Sequence, residues 1–147
     1  MSESRDVVGK IMSRTVRTVS GSEPVSVAVA KMVKHDIGSV VVLEGGAPVG
    51  IITERDIMRQ LTGKSAKDLS SPSKTFASKP LVTVSPETEI WNAFTIMLRK
   101  KIRRLPVVQG GRLMGIVTER DLFKWVVGVF YEPNVPADIK KLIVQNP

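Results

Sequence analysis

Val49-Gly50-Ile51-Ile52-Thr53-Glu54-Arg55-Asp56 returns 65 residues later as Met114-Gly115-Ile116-Val117-Thr118-Glu119-Arg120-Asp121. At that offset residues 11–57 align with 76–122 without a gap, and 16 of the 47 pairs are identical. They include Thr18/Thr83, Val19/Val84, Ala28/Ala93, Met32/Met97 and the Gly45-Gly46/Gly110-Gly111 pairs. The chain is an internal duplication, and the order of elements in one copy predicts the other.

Upstream of each octapeptide lies one pattern. Val25, Ala28, Val29, Met32 and Val33 recur at helical spacing, as do Ile90, Ala93, Phe94, Met97 and Leu98, which predicts an amphipathic helix in each copy. Ser22 and Ser85 stand as helix-start signals, with Pro24 and Pro86 tolerated at the entry. Val40–Leu43 and Val49–Thr53 flank Gly45-Gly46; Leu105–Val108 and Met114–Thr118 flank Gly110-Gly111. Each pair of runs predicts a β-hairpin. Thr-Glu-Arg-Asp opens a second helix, its inner side drawn from Ile57, Met58 and Leu61 or from Leu122, Trp125 and Val126. A short strand over 16–19 or 81–84 precedes everything. The unit is β-α-β-β-α, too small to bury two helices and a sheet alone, so the two copies are expected to pack together.

This divides the chain into a first repeat over 8–61, a polar linker over 62–73, a second repeat over 74–128 and a tail over 129–147. The tail, with Pro133, Pro136 and a short helix over Ala137–Val144, is a dimer contact or a surface appendage. With 42% hydrophobic residues and 24% charged ones, the composition is that of an ordinary globular protein. Cys is absent, which excludes disulfides and thiolate metal sites. No apolar run is long enough to cross a bilayer, and Met1-Ser2-Glu3-Ser4-Arg5 carries no signal-peptide core, so a cytoplasmic location and no membrane partner are expected. The net charge is +8, most of it in the second half, which favours anionic partners.

The two octapeptides resemble the "h-G-h-h-T-x-x-D" ending of CBS domains, and Arg103-Arg104-Leu105-Pro106-Val107-Val108 resembles the family's "x-R-L-P-V-V" strand. The likeness covers about residues 10–127. It implies an α+β fold of two tandem β-α-β-β-α repeats packed through their sheets about a pseudo-twofold axis, with two related clefts. It also implies a homodimeric disk and a non-catalytic role. The ligand would be AMP, ADP or ATP, with S-adenosylmethionine or NAD as further members of the class, and binding would regulate an unidentified partner.

The residues themselves suit that chemistry. A carboxylate in the first turn of a helix is favoured by the dipole and accepts hydrogen bonds from a cis-diol. A Thr hydroxyl can donate to or accept from ribose or phosphate, and guanidinium pairs hold phosphate. The resemblance therefore assigns one site to Thr53, Asp56, Arg103 and Arg104, with adenine against Ile51, Leu81 and Val82 and its edge read by the 81–83 backbone up to Thr83. The mirror site uses Thr118, Asp121, Ile116, Val16, Arg17, Thr18, Gly38 and Ser39. There Gly38-Ser39 stands in place of Arg-Arg, with Arg17 or Arg120 as substitutes, so the Asp56 site is expected to be the tighter. Against this stands the plainer reading that Thr53, Asp56, Thr118 and Asp121 only cap their helices.

His35, the one histidine, reads as a surface residue, and Trp91 and Trp125 as packing or dimer contacts. Two other functions compete: nucleic-acid binding through the basic run Arg99-Lys100-Lys101-Ile102-Arg103-Arg104, and a structural dimerisation module with empty clefts.

Overall fold

A computed structural model of the chain describes residues 6–128, 136–138 and 141. The first repeat holds β1 (Thr18–Ser20), α1 (Val25–His35), β2 (Ser39–Glu44), β3 (Ala47–Thr53) and α2 (Glu54–Gln60). The second holds α3 (Ile90–Lys100), β4 (Arg104–Gln109), β5 (Arg112–Thr118) and α4 (Glu119–Val126). The fold is α+β, built from two β-α-β-β-α repeats. No described helix is long and apolar enough to cross a membrane. Ala137, Asp138 and Lys141 are helical; the rest of the expected tail helix lies outside the described residues.

The hairpins follow from their turns. Gly45 and Gly46 have φ of 57° and 79°, and Gly110 and Gly111 have 57° and 77°. Two successive positive φ angles are what a two-residue turn between right-twisted strands requires. Register then runs from Glu44↔Ala47 to Ser39↔Thr53, and from Gln109↔Arg112 to Arg104↔Thr118.

β1 pairs in parallel with β2, helped by the Val41 N–H donating to the Arg17 carbonyl at 3.1 Å. The equivalent of Val41 in the second repeat is Pro106, which has no N–H to donate. The strand expected over 81–84 is accordingly reduced to one bridge between Val84 and Val107.

The segment preceding each repeat belongs structurally to the other one. Val8 is buried in the second repeat's core with Ile90, Leu105 and Leu122, while Phe76 is buried in the first's with Val19, Val40 and Ile52. Symmetric backbone bonds fix this exchange: Val8 N–H donates to the Thr88 carbonyl and Ser73 N–H to that of Glu23, both at 2.8 Å. The same segments cap the long helices. Val25 N–H donates to the Ser71 carbonyl, and Ile90 N–H to the Asp6 carbonyl. Ser22 and Ser85 therefore do not act as side-chain caps; Pro24 and Glu89 occupy the cap positions. Residues 62–73, expected to be a plain linker, supply the carbonyls that start α1.

Across the axis β3 meets β5, and Ser13 and Ser78 bridge to Ile116 and Ile51 of the opposite repeat. The helical stripes are narrower than expected: Val25, Ala28 and Met32 are buried, as are Ile90, Ala93 and Met97. Val33 is 77% exposed, Leu98 75% and Met58 69%. Residues eight apart on a helix are rotated by about 80°, enough to carry the last member of each stripe off the buried face. Trp125 stacks edge-on against Trp91 at 5.1 Å, and its Nε1–H donates to Asp6 Oδ2 at 3.1 Å.

Candidate ligand cleft

Both Thr-Glu-Arg-Asp segments form capping boxes. Thr53 N–H and Oγ1–H donate to Asp56 Oδ2 at 2.8 and 2.9 Å, and Asp56 N–H returns to Thr53 Oγ1 at 3.3 Å. In the second repeat Thr118 N–H and Oγ1–H reach Asp121 Oδ2 at 2.8 and 3.0 Å, with Asp121 N–H returning at 3.2 Å. Each Thr proton is thus committed to its own Asp. Thr53 and Thr118 orient the carboxylates, and the hydroxyl protons expected to reach a ligand are already in use. The capping reading describes one oxygen of each Asp and leaves the other, Oδ1, to be accounted for.

The two Oδ1 atoms differ. That of Asp56 accepts a hydrogen bond from Ser78 Oγ at 2.6 Å, and Asp56 is only 5% exposed. That of Asp121 accepts none among the described residues, because the equivalent hydroxyl, Ser13 Oγ, turns to the Thr15 carbonyl at 3.4 Å. Asp121 is half-buried and lines an open crevice of about 600 Å³.

That crevice gathers most of the expected second site: Thr118, Asp121, Ile116, Val16, Arg17, Gly38, Ser39 and Arg120. Thr18 is not on its wall. It lines a separate hollow of about 400 Å³ with Arg14 and Arg112. Arg103 and Arg104, expected beside Thr53 and Asp56, line the Asp121 crevice instead. The cause is local. Arg104 lies directly opposite Thr118 in the β4–β5 register, and Glu119 N–H donates to the Arg103 carbonyl at 2.8 Å. Arg103 is largely exposed and sits 3.7 Å from Glu119. Such a surface pair contributes little.

Arg104 reaches in because Gly38 has no side chain. A Cβ there would collide with Arg104 Nη2 and come within 3.1 Å of Glu54 Oε1. The Gly-Ser substitution read as a lost clamp is therefore the space a guanidinium from the other repeat fills. Gly38→Ala is expected to displace that guanidinium at small cost to stability, since the colliding atom ends a flexible chain. For an anionic ligand in the crevice, loss of one charge-assisted contact of about 1.5–3 kcal/mol predicts roughly tenfold to hundredfold weaker binding with an unchanged melting temperature.

Of the remaining first-site residues, Ile51 pairs with Ser78, Val82 packs against the second repeat's core, Leu81 is half-buried and Thr83 is exposed. The sequence reading missed His35, which half-buried lines the Asp121 crevice beside Asp36. Its place three residues before Gly38 was the available signal. Desolvation, then the Arg17, Lys34 and Lys31 cations, hold its pKa below the ordinary value. Neutral at pH 7, it gains a charge on acidification, next to any bound phosphate. Affinity for an anionic ligand in the crevice is expected to rise as the pH falls below the ordinary histidine value of about 6.5, relative to a His35→Gln variant, whose comparison cancels any titration of the ligand itself.

The family model described as CBS domain matches residues 8–63 and 73–128. The chain belongs to the CBS-domain family. It is 38% identical to an uncharacterized protein of Methanopyrus kandleri over 136 residues, which are 91% of this chain; it spans just under two thirds, 66%, of that relative. The crystal structure of a CBS-domain containing protein from Agrobacterium tumefaciens superposes with a TM-score of 0.73 at 28% identity, covering 84% of this CBS pair and 96% of that chain. The CBS domain pair of protein MJ0100, solved with 5′-methylthioadenosine and S-adenosyl-L-methionine, superposes with a TM-score of 0.75 at 24% identity, covering 84% and 98%.

Proposed function

We propose that this CBS pair is a non-catalytic regulatory module that binds an adenosine nucleotide (AMP, ADP or ATP) in the Asp121 crevice. The observation that carries the reading is the Oδ1 of Asp121, without a hydrogen-bond partner among the described residues and held at a helix start inside a crevice that Arg17, Arg104 and Arg120 also line. Asp121 would accept the ribose hydroxyls, Ile116 and Val16 would flank the adenine, and the guanidinium groups would hold phosphate. One solved CBS pair supports the adenosine part of the reading: MJ0100 was solved with 5′-methylthioadenosine and S-adenosyl-L-methionine, and the phosphate part rests on the arginines that line the crevice. All these groups can do to a nucleotide is hold it, and its effect on a partner would come from a change in cleft closure.

The reading extends to a homodimer. Val33, Met58, Leu98 and Phe123 are apolar, each more than half exposed, and distributed over the four helices. The basic run does not favour nucleic acid: Arg99, Lys100 and Lys101 are exposed where α3 ends and complement its dipole, while Arg103 and Arg104 line the crevice.

A thermal-melt panel of AMP, ADP, ATP, S-adenosylmethionine, NAD and GTP tests the proposal. A bound adenosine ligand at 100 times its Kd is expected to stabilise the fold by about 2.7 kcal/mol. Absence of a shift with every adenosine compound would remove the reading.

A further inference from the structure

The duplication predicts two equivalent sites per chain, yet Asp56 and Asp121 stand in different states. Asp56 Oδ2 carries Thr53, and its Oδ1 carries Ser78 at 2.6 Å. An external diol approaching Asp56 meets an oxygen already bonded to a hydroxyl, on a residue with almost no exposed surface.

The segment that delivers Ser78 is fixed in place. Phe76, two residues before it, is 1% exposed in the first repeat's core. Ala77 lies so close over β3 that a Cβ on Gly50 would come within 2.7 Å of its own Cβ. Ser78 N–H donates to the Ile51 carbonyl at 3.0 Å. The equivalent segment is held as closely, Ser13 exchanging two backbone hydrogen bonds with Ile116 at 2.9 Å; it differs in carrying the partly buried Ile11 in place of Phe76 and in the Ser13 hydroxyl, which turns to the Thr15 carbonyl.

We infer that Ser78 decides which of the two related sites takes ligand. Its hydroxyl occupies the position on Asp56 that a ribose hydroxyl takes on Asp121, so each chain binds one nucleotide, at Asp121. Ser78 is a specificity determinant supplied by the chain itself, acting on the carboxylate that the duplication makes equivalent to Asp121. The inference rests on the nucleotide reading of the Asp121 crevice.

Isothermal titration calorimetry with ATP and with AMP, on the full chain and on Ser78→Ala, separates the two. Ser78 is exposed, so removing its hydroxyl is expected to leave the fold intact, as circular dichroism would record. The wild type is expected to bind one nucleotide per chain and Ser78→Ala two, with the added site lost again in the Ser78→Ala/Asp56→Ala double variant. Two nucleotides on the wild type, or one on a folded Ser78→Ala, overturn the inference and leave the nucleotide reading standing. No binding by the wild type to either compound overturns that reading, and the inference falls with it.

Discussion

Asp121→Ala is expected to weaken nucleotide binding by about two to four orders of magnitude. Charge-assisted hydrogen bonds contribute about 1.5–3 kcal/mol each, and two ribose hydroxyls would lose their acceptor together. The same change removes one half of a capping box, for about 0.5–2 kcal/mol of stability, so affinity and melting temperature must be measured side by side. Asp121→Asn, with an acceptor oxygen but no charge, should fall between wild type and alanine in affinity. The matching Asp56→Ala change carries the opposite signature. It takes away a buried carboxylate that accepts from Thr53 and Ser78, so stability drops while affinity at Asp121 stays close to wild type. Equal affinity losses from the two substitutions would contradict the unequal sites described here.

The largest effect on stability is expected at Phe76. It is among the largest fully buried side chains, and it sits in the segment that crosses from one repeat to complete the other's core. Truncation to alanine leaves a cavity between Val19, Val40 and Ile52 and is expected to cost about 3–5 kcal/mol in a denaturant titration. That is a large share of the stability of a domain this size. Ile11, its equivalent before the first repeat, is only partly buried, and Ile11→Ala should cost clearly less. A loss below about 1 kcal/mol for Phe76→Ala would mean that the crossing segment is not anchored as described.

Much of the architecture was legible because duplication made each copy a check on the other. The paired Gly-Gly turns, the recurring helical stripes and the repeated Thr-Glu-Arg-Asp each announced an element twice. What could not be read was long-range exchange. A repeat looks self-contained in sequence, and nothing in Val8 or Phe76 says that its core lies in the other copy. The lost strand before α3 was visible in principle, since Pro106 replaces Val41 and lacks the donor that parallel pairing uses.

The site was half legible. Asp121, Thr118, Gly38, Ser39 and Arg17, grouped by the resemblance, line one crevice. Arg103 and Arg104 were assigned across the axis by resemblance, whereas the β4–β5 register places Arg104 opposite Thr118, one residue beyond a straight count from the Gly110-Gly111 turn because the register shifts between Val107 and Val108. The role of Gly38 was inverted, because a missing side chain reads as a missing function until its neighbour is known. Ser78 was invisible for a different reason: Ser13 and Ser78 are identical residues at equivalent positions, and only the direction of one hydroxyl distinguishes a closed site from an open one.

The most direct measurement is difference electron density from crystals of the full chain grown with ATP. The expected result is one nucleotide per chain, its ribose hydroxyls on Asp121 Oδ1 and its phosphates beside Arg104. Density on Asp56, or a crevice left empty at saturating ATP, would contradict the account.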